Sequence, residues 1–329
     1  MAVCRGVRSL SPVETRVWGV NSQRRQVALT IHHLRPAALE AAAEFITGIN
    51  ARGITCRANA EDLAAIAGRV PEADLLEFDS QGDSGCELVV VFGGDGNILR
   101  ASEWALPRRV PVLGVNLGHV GFLAELESSQ IGSLIEHVAS GDYEVEERMT
   151  IDTVVRGGRG GEELWRSFAI NEVSVEKLAR ERMLEVLVRI DGRPLSRWAT
   201  DGVLVATPTG STAYAFSAHG PVIWPELSAL LLVPLSAHAL FARPLVLSDR
   251  TVVSIEVLPG GGPGGVVWCD GRRSTDVTGG MEIEARLGAD RLRLARMSEQ
   301  PFVNRLVRKF GLPVDGWRGA AERDAAHAR

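Results

Sequence analysis

From Gln26 onward, short β-branched apolar runs alternate with longer segments in which apolar residues return every three or four positions. Residues 27–31, 54–57, 88–92 and 110–115 read as strands. Residues 36–52 read as an Ala-rich helix with Leu39, Ala42, Ala43 and Ile46 on one face and Gly53 closing it. Residues 62–69, 97–105 and 131–140 read as further helices, the last after a glycine-bearing loop over 118–123. This rhythm predicts a doubly wound, mostly parallel α/β sheet over residues 26–148, with ligands beyond the carboxyl ends of its strands.

After Met149 the period shortens to two. Residues 151–156, 166–175, 184–190 and 195–199 read as antiparallel strands, with Asp191-Gly192 as a type I′ hairpin turn. Residues 251–258, 266–269, 281–285 and 291–295 continue the pattern, which predicts an all-β sandwich over 149–300. The glycine cluster at 260–265 lies between two such strands with no helix after it, so it reads as a plain connection. Phe302, Leu306, Val307 and Phe310 mark an amphipathic helix that ends at Gly311 and Pro313, expected to pack back onto the molecule over 301–318. Residues 319–329 read as a frayed tail and residues 1–25 as a disordered extension. The latter carries Arg5, Arg8, Arg16, Arg24 and Arg25 against one acid, Glu14, with no apolar run long enough for a secretory signal. The most apolar stretch, 227–235, is too short to span a bilayer and contains Pro234, so no membrane role is expected.

Charge and cysteine usage narrow the partners. A formal net charge of -5, with scattered basic residues, argues against nucleic acid. Lys177 and Lys309 are the only lysines among 36 basic residues, so no Gly-Lys-Ser/Thr phosphate loop exists and any phosphate must be held another way. Cys4, Cys56, Cys86 and Cys269 form no Cys-x-x-Cys pair and no zinc spacing, which fits free thiols in a reducing, cytoplasmic setting.

Two stretches carry candidate chemistry. In 87–100 an apolar strand meets Gly93, Gly94, Asp95 and Gly96 before a helix expected from Asn97. Backbone freedom and open helix amides would admit a phosphate there, next to a carboxylate able to take a hydroxyl proton or hold Mg²⁺. In 200–214 a strand ends in a turn holding Thr207, Thr209, Ser211 and Thr212. The hydroxyls read as converging ligand donors, with Ser211 or Thr212 expected to cap a helix through Ser217. Asn171-Glu172, within its strand, reads as an exposed polar pair, Asp270-Gly271 as an ordinary hairpin turn, and His238 as a structural histidine.

Gly93-Gly94-Asp95-Gly96, Asn116-Leu117-Gly118, Gly121-Phe122-Leu123, Asn171-Glu172, Asp201-Gly202 and Thr207 through Tyr214 together resemble the motifs of the NAD kinase family, in the same order. The likeness is closest to its actinobacterial members and runs from Gln26 to Arg318. By itself Gly-Gly-Asp-Gly is shared with phosphofructokinases and with diacylglycerol and sphingosine kinases. The resemblance implies a phosphofructokinase-like first domain and a phosphotransferase acting on an alcohol, moving phosphate from ATP or polyphosphate to the 2′-hydroxyl of the adenosine ribose of NAD. It implies Asp95 as the base and a contact to NAD at Gly96, with Gly93, Gly94 and Asn97 also on the donor side. Asn171 and Glu172 would hold ribose hydroxyls, while Asp201, Thr212, Ala213, Tyr214, Ala215, Phe216 and Ser217 would cradle the base and nicotinamide ends. Arg100, Arg182 and Arg272 would be further NAD contacts, a divalent metal, Mg²⁺, would accompany the donor, and the chain would form a homodimer or homotetramer. Asn97, Ala199, His219 and Ser236 depart from the family pattern, His219 standing where relatives place glycine, so preference among substrates does not carry over. A lipid kinase and a non-catalytic dinucleotide sensor are the rival readings.

Overall fold

The computed structural model describes residues 25–71, 75–77, 85–116, 121–124, 126–127, 130–260, 262–297 and 301–313. The expected disorder of residues 1–24 and fraying of 319–329 lie outside these, as do residues 118–120 of the 118–123 loop. Arg25, expected in the loose extension, is anchored: it pairs with Glu87 and donates to the carbonyls of Val138 and Ala139.

The first sheet is built on β1 (Gln26–Ile31), β2 (Thr55–Ala58), β3 (Leu75–Glu77), β4 (Leu88–Phe92) and β5 (Val112–Asn116), parallel and ordered β3-β2-β1-β4-β5. Every residue of β4 is buried because helices cover both faces. Val90 and Phe92 face α1 (Pro36–Asn50) and α4 (Ile131–Ser140), while Val89 and Val91 face α3 (Asp95–Arg108). The short α2 (Ala60–Ile66) opens on Asn59, whose side chain accepts the Asp62 N–H. Strand order reverses between β1 and β4, which opens the crevice where doubly wound sheets bind ligands. A short β6 (Leu126–Glu127) follows β5, and β7 (Glu144–Arg148) lies at the far edge of the sheet.

Twelve strands make two six-stranded antiparallel sheets packed face to face. In chain order they are β8 (Ile151–Arg156), β9 (Glu163–Ala169), β10 (Glu172–Lys177), β11 (Leu184–Ile190), β12 (Arg193–Thr200), β13 (Gly202–Ala206), β14 (Ala229–Leu235), β15 (Leu245–Ser248), β16 (Val253–Val257), β17 (Gly265–Cys269), β18 (Arg273–Val277) and β19 (Glu282–Leu287). Alternating residues of both sheets, with Trp198 fully enclosed among them, form the sandwich core. Asp191 and Gly192 both take positive φ, the I′ geometry their sequence predicts.

Two expectations need correction. Residues 166–175 are not one strand: the chain breaks at Ile170-Asn171, leaving β9 in one sheet and β10 in the other. The last expected sandwich strand, now β20 (Leu292–Arg296), instead joins the first sheet, parallel to β5 and antiparallel to β7. Its alternation satisfies either sheet, so pattern alone could not choose. The terminal helix, α6 (Phe302–Phe310), follows it and stops at Gly311, whose φ is +59°. Among the described residues no helix is long and apolar enough to cross a membrane.

Candidate active site

β4 delivers the chain to the switch point, and α3 opens there at Asp95 with Gly94 as N-cap, two residues before the start expected at Asn97. The Asn97 and Ile98 N–H groups close on the Gly94 carbonyl at 2.9 and 3.2 Å. The amides of Asp95 and Gly96 are left as first-turn donors without a partner among the described residues. The Asn97 side-chain nitrogen is buried and turns inward toward Gly93.

The Asp95 carboxylate leans across to the loop after β5. Its Oδ2 accepts the Phe122 N–H at 3.0 Å and its Oδ1 the Leu123 N–H at 3.2 Å. Gly121 makes the approach possible, since a Cβ there would fall on the carboxylate itself. Two buried arginines close the loop from behind: Arg305 of α6 donates to the Phe122 carbonyl at 2.9 Å and Arg296 of β20 to the Leu123 carbonyl at 3.1 Å. Arg296 also donates to Glu146 at 3.0 Å.

The Ile170-Asn171 break is shaped by one carboxylate. Asp270, at a left-handed φ of 54° between β17 and β18, accepts the N–H groups of Ile170 at 3.0 Å, Asn171 at 2.7 Å and Glu172 at 3.4 Å, and pairs with Arg273 at 2.8 Å. Burial pushes its carboxyl above the ordinary range, while the Ile170 and Asn171 amides and Arg273 pull the other way. Opposite it, the Thr207 N–H donates to the Asn171 carbonyl at 2.9 Å, and the Thr207 hydroxyl donates to Ile170 at 2.6 Å while accepting the Gly210 N–H at 3.0 Å. Gly210 lies flat on the Asn171 peptide, where a Cβ would overlap the carbonyl.

The hydroxyls of Thr207, Ser211 and Thr212 are bonded to backbone and hold the turn together. Residues Thr209–Thr212 form a 3₁₀ turn. The Ser211 hydroxyl donates to Pro208 at 2.6 Å and accepts the Ile223 N–H at 2.9 Å, and the Thr212 hydroxyl donates to Thr209 at 3.1 Å. Neither caps α5 (Tyr214–Ser217), which starts after Ala213 without a side-chain cap. Glu172, expected as half of an exposed pair, is 8% exposed. Burial, reinforced by the Asp270 charge, pushes its carboxyl up to about 8, with the Tyr214 backbone amide working the other way. Its Oε2 is buried with no hydrogen-bond partner among the described residues.

Asn171, Glu172 and Tyr214 thus share one corner, with Ala213 and Ala215 on the same turn and Phe216 and Ser217 exposed beside them. Asp201 is paired with Lys177 at 2.5 Å. Arg272 donates to Glu103 of α3 at 2.9 Å. Arg100 stands 3.9 Å from Asp62, a fully buried carboxylate that also takes the His33 ring nitrogen at 2.5 Å. Arg182 is exposed on the β10–β11 loop beside Gly262.

Three bridges join the Asp95 end to the Asn171 end. Ile170 packs in the same apolar cluster as Ile98 and Leu99 of α3, and Glu103 meets Arg272. Phe310 of α6 lies 5.9 Å from Phe122 and stacks on Phe216 at 4.6 Å. Sequence reasoning missed Asp270, Arg296, Arg305 and Asp62. Asp270-Gly271 reads as Asp191-Gly192 does, and only the fold shows that one buries its carboxylate. Among the described residues no three His, Cys, Asp or Glu side chains converge as a metal cage. A lone carboxylate suits Mg²⁺, which keeps waters and substrate phosphates in its shell, and the open amides beside it suit those phosphates.

Residues 38–143 match the ATP-NAD kinase N-terminal domain and residues 170–297 the ATP-NAD kinase C-terminal domain. The chain is 53% identical over 302 residues to an NAD kinase of Cutibacterium acnes, covering 92% of this chain and 94% of that one. To an NAD kinase of Thermobifida fusca it is 51% identical over 307 residues, covering 92% and 94%. Among solved structures it shares its fold with yeast NADH kinase complexed with NADH, at a TM-score of 0.80 and 24% identity over 88% of this chain and 89% of that one. An NAD kinase from Archaeoglobus fulgidus in complex with ATP matches at a TM-score of 0.64 and 24% identity, over 88% of this chain and all of that one. With relatives half identical along nearly its whole length and both domains matched, the chain belongs to the NAD kinase family.

Proposed function

We propose that the chain phosphorylates the 2′-hydroxyl of the adenosine ribose of NAD, from ATP or polyphosphate, with Asp95 as general base. The observation that carries this reading is the Asp95 carboxylate, fixed by two backbone N–H groups beside open amides at the start of α3. Asp95 accepts the hydroxyl proton as the ribose oxygen bonds to the terminal phosphorus and the bond to the leaving diphosphate breaks. The Asp95 and Gly96 amides face the phosphoryl oxygens, and Gly93, Gly94 and Asn97 shape that donor side. Asp95 would be the carboxylate to hold Mg²⁺, which would supply positive charge against the leaving diphosphate.

The NAD side rests on Glu172. A buried carboxyl pushed up to about 8, with Oε2 unpartnered, holds a proton near neutrality and offers it to a ribose hydroxyl beside Asn171. Asp201, Thr212, Ala213, Tyr214, Ala215, Phe216 and Ser217 line the remainder, with Arg100, Arg182 and Arg272 at its margins. The buried cysteines Cys56, Cys86 and Cys269 support a reducing, cytoplasmic setting. Exposed Leu240, Phe241 and Val246 near the edge strand β15 support assembly as a homodimer or homotetramer, which light scattering would weigh.

NADP formation from NAD and Mg²⁺, with ATP in one reaction and polyphosphate in another, tests the proposal. Product with either donor supports it and chooses the donor. Measurable NAD binding without product from either would instead support a dinucleotide sensor.

A further inference from the structure

We propose that Arg305 is a positioning residue for the Asp95 carboxylate, acting through the peptide between Phe122 and Leu123. The inference rests on the reading of Asp95 as base. One peptide unit carries both contacts: its carbonyl, on Phe122, accepts from Arg305 Nη1 at 2.9 Å, and its N–H, on Leu123, donates to Asp95 Oδ1 at 3.2 Å. A guanidinium stays charged at every working pH, and a cation on a carbonyl polarises the amide into a stronger donor at its other end. Arg305 is 6% exposed, so solvent screens this effect little. A buried guanidinium behind a loop is costly, and here its donor is aimed at the carbonyl that governs the carboxylate.

The seat of α6 does not depend on this hydrogen bond. Phe302 lies 5.9 Å from Phe122 and 5.1 Å from Trp224, and Phe310 packs on Phe122 and Phe216. Replacing the guanidinium by an apolar chain of similar length leaves these ring contacts in place. Arg296 contacts the next carbonyl, on Leu123, and is also bound to Glu146.

The test compares Arg305→Met and Arg305→Lys with the unaltered chain, in both the native and the Asp95→Asn background. Loss of carboxylate alignment should lower kcat of Arg305→Met about tenfold to a hundredfold, with KM and calorimetric Kd for NAD held within about twofold. Lysine, which can still donate to the carbonyl, should recover most of that loss even if Arg305→Met proves poorly folded. In the Asp95→Asn background Arg305→Met should cost no further rate, because the group it positions is gone. An inactive Asp95→Asn beside a fully active Arg305→Met overturns the proposal alone, as does a parallel fall of kcat and NAD affinity that lysine fails to restore. An Asp95→Asn variant that keeps its rate removes the base from the reaction and the proposal with it.

Discussion

Replacing Glu172 by Gln should make the protein more stable in alkali than it is now. The Glu172 carboxyl has an ordinary value of 4.5 and is pushed up to about 8 by burial and by Asp270. Between those values the folded chain keeps a proton that the unfolded chain has released. Unfolding therefore releases a proton, and stability falls as pH rises through that window. At about 1.4 kcal/mol for each tenfold change in proton affinity, the full cost above pH 8 reaches about 5 kcal/mol. Gln has the same shape and no charge in either state, so it removes this slope. Asp270 shares the pocket and its carboxyl is also pushed up by burial, so part of the slope will remain. Urea unfolding of both proteins, followed by tryptophan fluorescence at about pH 5 and about pH 9, should give similar stabilities in acid and a gap of several kcal/mol in alkali. Parallel stability curves across the range would refute the reasoning, since Glu172 would then ionise alike in both states.

Other substitutions reach other parts of the site. Asp95→Asn should lower kcat by about 10²–10⁴ while calorimetry still detects NAD, because the amide keeps the shape and cannot take the proton. Gly210→Ala should cost about 1–3 kcal/mol in chemical denaturation and weaken NAD binding, since its Cβ meets the Asn171 carbonyl rather than a movable side chain. An unchanged midpoint would mean that the turn shifts freely. His219 holds a φ of 61°, so His219→Gly should raise stability by about 1 kcal/mol, read as a higher melting temperature; an unchanged or lower one would refute the strain.

What could be read from the chain depended on whether local pattern alone decided the outcome. Leu88–Phe92 and Ile131–Ser140 were legible to the residue because a fully buried strand and an amphipathic helix each leave an unmistakable period. The strand-to-helix turn at Asp95 was legible, but the early start of α3 was not, since Gly94 caps without a side-chain signature. Residues 166–175 kept one alternation across Ile170-Asn171 while changing sheets, and that break is enforced from a hundred residues away by Asp270. The hydroxyl turn was found, but not that three of its four hydroxyls, on Thr207, Ser211 and Thr212, donate to backbone carbonyls. Arg296 and Arg305 carry no local sign of their task, because the carbonyls they reach lie some 170 to 180 residues earlier.

The placement of β20 gives this molecule an unusual order of assembly on the ribosome. Among the described residues β7 pairs with β20 alone, and β20 is made only after every strand of the sandwich. At typical elongation rates the delay is on the order of ten seconds, long compared with the collapse of a small domain. The sandwich can close while the earlier-made sheet still waits for an edge, so the domain that begins first is finished last. Because β20 and α6 also bring Arg296 and Arg305 to the loop that holds Asp95, a half-made chain would emerge with that loop unsupported by either arginine.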